Sequence, residues 1–114
     1  MLKELCLING TSGDEGKVRD YIITQIKDYC EYSVDNLGSI IAYKKGKKAP
    51  KQKISINAHM DEVGFIVTGI TDDGYLRFTS VGGIDSRVCL DRIVIVGQKA
   101  GKGVIGVKAV HLLS

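Results

Sequence analysis

Two side chains in the sequence have the types and the spacing for metal chemistry. His59 and Asp61 flank Met60 at the end of a run in which Ile54, Ile56 and Ala58 alternate with polar residues. If the chain is extended through the pair, residues two apart leave the same face of a strand. A neutral imidazole nitrogen ligates a divalent ion, and a neighbouring carboxylate either ligates it too or fixes the ring tautomer through the other nitrogen. Strand ends are also where sites gather in open α/β sheets. His-x-Asp arises by chance as well, and the plain alternative is a histidine hydrogen-bonded at a strand end with Asp61 as a turn residue. Glu62 faces away from His59 on such a strand and is given no role. Asp72, Asp73, Asp85 and Asp91 read as turn or barrel residues.

The elements that must position the pair follow from periodicity. Leu2, Leu5 and Leu7 or Ile8 suggest a short helix over 2–8, broken by the run from Asn9 to Gly13. Ser12-x-x-Glu15 fits a capping box, in which the serine oxygen takes an orphan amide and the glutamate reaches back. A helix to about Tyr29 is predicted, with Val18, Ile22, Ile26 and Tyr29 as its buried stripe. The period then becomes two. Strands are predicted over 32–35 and 39–43, turned by Asn36-Leu37-Gly38, and over 53–59. From Gly64 onward the pattern is wholly β. Segments 65–70 and 75–78 are joined through Asp73-Gly74, a strong hairpin signal, and further strands are predicted over 92–96 and 103–107.

This change of character near residue 64 divides the chain into two expected domains. Residues 1–63 are a helix–strand mixture that feeds an α/β sheet. Residues 64–114 are short strands with Gly-rich turns, as in a small barrel or sandwich. Neither half looks complete, and the apolar end from His111 to Ser114 carries no terminating signal, so the sequence reads as a fragment.

Composition narrows the function classes. With 114 residues, 44% hydrophobic and 25% charged, the chain has the make-up of a small globular unit rather than a disordered one. The net charge of +3 is concentrated in the run from Lys44 to Lys53. That run lies between strand-like segments, contains Gly and Pro and interleaves no aromatic residue for base stacking, so it reads as a solvated loop and not as a nucleic-acid contact. Three widely spaced cysteines, Cys6, Cys30 and Cys89, fit neither a disulfide framework nor a zinc ribbon. Reduced thiols, the lack of a signal-like N-terminus and the lack of any run of ~20 apolar residues point to the cytoplasm and away from the membrane.

The stretch Ile56-Asn57-Ala58-His59-Met60-Asp61-Glu62-Val63-Gly64-Phe65 resembles the metal-binding signature of the glutamyl and deblocking aminopeptidases, two-metal peptidases that form tetrahedral assemblies. The resemblance extends in order along the chain. It takes in Thr11-Ser12-Gly13, Asp35-Asn36-Leu37-Gly38-Ser39, the run from Thr71 to Phe78, Val81-Gly82-Gly83-Ile84-Asp85-Ser86-Arg87-Val88 and Gly103-Val104-Ile105-Gly106. It implies the opening of a zinc-peptidase-like α/β catalytic domain over 1–63, then part of an inserted small β-barrel dimerisation domain over 64–114. It also implies that His59 is a terminal ligand to one of two divalent ions, zinc or cobalt, and that Asp61 is the catalytic carboxylate holding the ring. Peptide substrates and homo-oligomers from dimer to dodecamer are implied too. The family's bridging Asp, paired Glu residues, further acidic ligand and second ligating His have no counterpart here. His111 matches the inserted domain and is read as structural. These residues alone are accordingly expected to be catalytically inert and prone to association.

Two rival readings remain at this level. A non-catalytic β-rich interaction module, or a relic of an enzyme, would make the half after residue 64 the working unit. A glycoside hydrolase, under an endoglucanase or cellulase label, needs two carboxylates across a sugar bond. It gives no reason for His-x-Asp at a strand end, and the chain has no Trp for a sugar platform.

Overall fold

The computed structural model describes residues 1–48 and 51–107. The architecture is mixed α/β, with two compact units, Met1–Gly82 and Gly83–Ser114.

In the first unit, α1 (Leu2–Leu5) is a single turn, and α2 (Gly16–Ile26) follows after the Gly10–Gly13 break. Val18 is the buried residue of α2, at 6% exposure. Ile22 and Ile26 are half-buried, and Tyr29 lies beyond the helix and is exposed. The buried stripe is thus shorter than its periodicity predicts. The expected capping box is not made. The residue before the first turn is Glu15, with no side-chain cap, and its carboxylate accepts from the Gly13 amide (2.7 Å). Ser12 has another partner, described below.

Two antiparallel hairpins complete the unit. β1 (Glu31–Val34) pairs with β2 (Ile40–Tyr43). Their turn is tied by the Asp35 carboxylate, which accepts from the amides of Leu37 (2.9 Å) and Ser39 (2.8 Å). β3 (Gly64–Ile70) pairs with β4 (Leu76–Val81) across the Asp73-Gly74 turn. Gly74 adopts φ +84°, which the turn requires and which a side chain disfavours. The register shifts between Val67 and Gly69, leaving Thr68 as the extra residue of a bulge. The opposed pairs Phe65–Ser80, Val67–Phe78 and Ile70–Leu76 put Phe65, Val67 and Ile70 on one face of the ribbon despite their uneven spacing. Phe65 and Phe78 meet edge to face, ring centroids 4.8 Å apart.

The predicted strand over 53–59 is not formed. Residues 53–61 have no ladder partner among the described residues, and Ile54 and Ile56 are 91% and 92% exposed. A strand exists by virtue of its neighbours. The alternation is present, but the backbone groups that would read it are not supplied by the described residues.

The second unit holds a one-turn 3-10 helix, Ser86–Val88, and a hairpin of β5 (Ile93–Val96) with β6 (Gly101–Val104). Asp85 starts the turn by accepting from the Arg87 amide (3.0 Å) and gripping its guanidinium through both carboxylate oxygens. Among the described residues of this unit, Ile105 is the buried one.

Candidate metal centre

The site is built where two segments about fifty residues apart run side by side. Thr11 and Glu62 form a parallel bridge. The Glu62 amide donates to the Gly10 carbonyl (2.8 Å), and the Ser12 amide donates to the Glu62 carbonyl (3.2 Å). The Glu62 carboxylate reaches back to accept from the Gly10 amide (3.1 Å). Gly64 permits this approach, and Gly10 permits the seam to pack on α2. A Cβ on Gly10 would sit 2.5 Å from Val18 Cγ2, and one on Gly64 would sit 2.6 Å from both Thr11 Cγ2 and Thr11 Oγ1. Both are below any contact a methyl group tolerates.

The seam presents Asp61 between two partners. Its Oδ2 accepts from the Ser12 hydroxyl (2.5 Å), and its Oδ1 lies 3.0 Å from His59 Nδ1. The Asp61 carbonyl oxygen is also 3.0 Å from that nitrogen. Both groups facing Nδ1 can only accept, so Nδ1 carries the proton and, in the neutral ring, the Nε2 lone pair is left for a ligand. His59 is 86% exposed at its side chain and Asp61 41%. The Ser12 hydroxyl, foremost, holds the Asp61 carboxyl below its ordinary value of 3.8; desolvation opposes it, and the His59 hydrogen bond and charge add lesser lowering effects.

The structure therefore brings His59 and Asp61 together as the sequence spacing suggests, although within an unpaired segment and not on the face of a formed strand. Glu62, given no role by the sequence, has a task in the structure, the clamp on Gly10. Ser12 belongs to the site although its position read as a helix cap. No local pattern distinguishes a serine that caps from one that is taken by a distant carboxylate. His111 lies outside the described residues. Among the described residues no group of three or more His, Cys, Asp or Glu side chains converges as a metal cage. What is present fits one terminal ligand with its supporting carboxylate.

Relatives of known kind share this sequence. The chain is 35% identical to the lysyl aminopeptidase of Pyrococcus furiosus over 98% of its own length. Its fold matches the TET1 peptidase of Pyrococcus horikoshii with a TM-score of 0.80 at 43% identity, over 98% of this chain and 34% of that one. That peptidase is described as assembling into a tetrahedron or a large octahedral shell. A Thermotoga maritima structure described as an endoglucanase matches with a TM-score of 0.85 at 45% identity, over 95% of this chain and 34% of that one. The chain spans about a third of the length of the curated relatives it matches. The family model for the M42 glutamyl aminopeptidases matches residues 38–114, two-thirds of the sequence. The chain belongs to the M42 glutamyl aminopeptidase family.

Proposed function

We propose that the protein carrying this chain is a metal-dependent aminopeptidase that removes N-terminal residues from peptides. His59 is one terminal ligand, and Asp61 is the catalytic carboxylate that orients it. The observation that carries the reading is the His59 ring, with Nδ1 tied to two acceptor oxygens of Asp61 and Nε2 left free of any hydrogen bond among the described residues. Divalent ions bound there, zinc or cobalt and two in number, supply Lewis acidity toward the scissile carbonyl and acidify water. Within this chain, Asp61 holds the ring in the ligating tautomer and adds negative charge behind it, which raises the basicity of Nε2.

In this reading residues 1–63 open the catalytic α/β domain, and residues 64–114 begin an inserted β-barrel that mediates dimerisation. Homo-oligomers up to a dodecamer are supported by the assembly described for the Pyrococcus horikoshii relative. A cytoplasmic setting is supported by the three free thiols. Among the described residues no helix is long and apolar enough to cross a membrane. The 114 residues taken alone are expected to be inert, because a single histidine with its carboxylate does not complete a two-metal site.

The test is made on the purified full-length protein. Metal content and release of amino acids from unblocked peptides are measured for the wild type and for His59→Ala. Loss of at least one equivalent of metal together with loss of peptidase activity is expected. Full activity and metal content in His59→Ala would sink the assignment. Reducing-sugar release from cellulose without peptide cleavage would favour the endoglucanase description carried by the Thermotoga relative.

A further inference from the structure

We propose that Ser12 is a positioning residue of the metal centre, its hydroxyl fixing the Asp61 carboxylate and, through it, the His59 ring. The inference rests on the reading of His59 as a metal ligand.

The geometry divides the Asp61 carboxylate between two tasks. Oδ1 faces His59 Nδ1, and Oδ2 takes the Ser12 hydroxyl. A carboxylate rotates easily about its terminal bond, since such sp³–sp² torsions have broad minima. Holding Oδ2 removes that freedom and leaves Oδ1 directed at the ring. Nothing in the stretch from His59 to Asp61 supplies this second anchor. It comes from 49 residues earlier in the chain.

The anchor is itself held. The Ser12 amide donates to the Glu62 carbonyl, and two further hydrogen bonds tie Gly10 to Glu62. The serine oxygen thus arrives on a short, doubly stitched segment and not on a free loop. The cap position of α2 is Glu15, three residues beyond Ser12, and the Ser12 hydroxyl goes to Asp61.

The experiment uses the full-length protein and the isosteric pair Ser12→Thr and Ser12→Val, which differ by a hydroxyl against a methyl, with Ser12→Ala beside them. Zinc and cobalt affinities are measured by competition with a chromogenic chelator, and the visible absorption of bound cobalt reports ligand geometry. Ser12→Thr is expected to keep affinity within about threefold, while Ser12→Val and Ser12→Ala lose ~10–100-fold and shift the cobalt bands. Equal behaviour of the Thr and Val variants would overturn the proposal, since the hydroxyl is then not what acts. If Ser12→Ala fails to fold, the Thr–Val comparison still decides. His59→Ala separates the two levels. If it loses metal while Ser12→Val and Ser12→Ala bind as the wild type does, the positioning role fails and the ligand reading stands. If His59→Ala binds as the wild type does, both fail.

Discussion

The seam between residues 10–12 and 61–64 and the run just before it, residues 53–58, meet opposite fates. The seam is closed by backbone bonds, a glutamate clamp and a glycine, Gly64, that admits a close approach to Thr11. The run has the cleaner strand pattern of the two, yet Ile54 and Ile56 are almost fully exposed and no backbone partner faces them among the described residues. Hydrophobic alternation announces that a segment has a buried side. It says nothing about which chain segment will cover it. Close approach, by contrast, is written into single residues, because a glycine where any Cβ would collide needs no other context.

That contrast can be tested at four points, beginning with the largest effect. If the 53–58 run is covered in the full-length protein, Ile56→Asp there costs ~3 kcal/mol or more, since an apolar side chain is lost from cover and a charge is buried. A thermal midpoint unchanged by Ile56→Asp would show that the run stays open and that the difference between the two regions is intrinsic. Gly64→Ala comes next, at about 1–3 kcal/mol from overpacking against Thr11. Chemical denaturation measures it, and a neutral result would mean that the seam yields freely. Glu62→Ala should cost ~1 kcal/mol by leaving the Gly10 amide without its acceptor. Glu62→Gln, whose amide oxygen still accepts, should be near neutral, and equal losses from the two would point to charge instead of the clamp.

The smallest effect concerns the β1–β2 turn, a local structure that, like the seam, needs no outside partner. The Ser39 amide foremost, with help from that of Leu37, holds the Asp35 carboxyl below 3.8. A group lowered in the folded state adds stability that is present above its unfolded value and lost as pH falls through the folded one. Amide exchange at Leu37 and Ser39, corrected for the intrinsic pH dependence, should therefore rise on acidification below pH 3.8 and not between pH 5 and 8. Asp35→Asn should flatten that response.

What was legible in the sequence follows the same division. The hairpins were readable because their turns are local: Asp73-Gly74 and Asp35 through Ser39 carry their geometry within four or five residues. The His59–Asp61 pairing was readable for a similar reason. Helix α2 is legible to within a few residues of its ends, but its cap is not, because the helix starts at Gly16 and puts Glu15 and not Ser12 at the cap position. The role of Glu62 is not legible, because strand parity turns it from His59. Parity is silent about a clamp to Gly10, which depends on two segments meeting. The 53–59 strand failed for the complementary reason, since its ladder requires backbone that these described residues do not provide.

The bulge at Thr68 carries a consequence at the level of codons. The ribbon keeps Phe65, Val67 and Ile70 together because one residue is not counted by the ladder. An in-frame deletion of that single codon would leave the composition almost unchanged and lose no apolar side chain. It would also heal the ladder, with Gly69 still opposite Arg77 and Ile70 still opposite Leu76, so that Ile70 stays on the side of Phe65 and Val67 and only the local bend is lost. A change of length among relatives should therefore be tolerated at the bulge itself, whereas loss of Ile66 would turn Val67 to the other side of the ribbon.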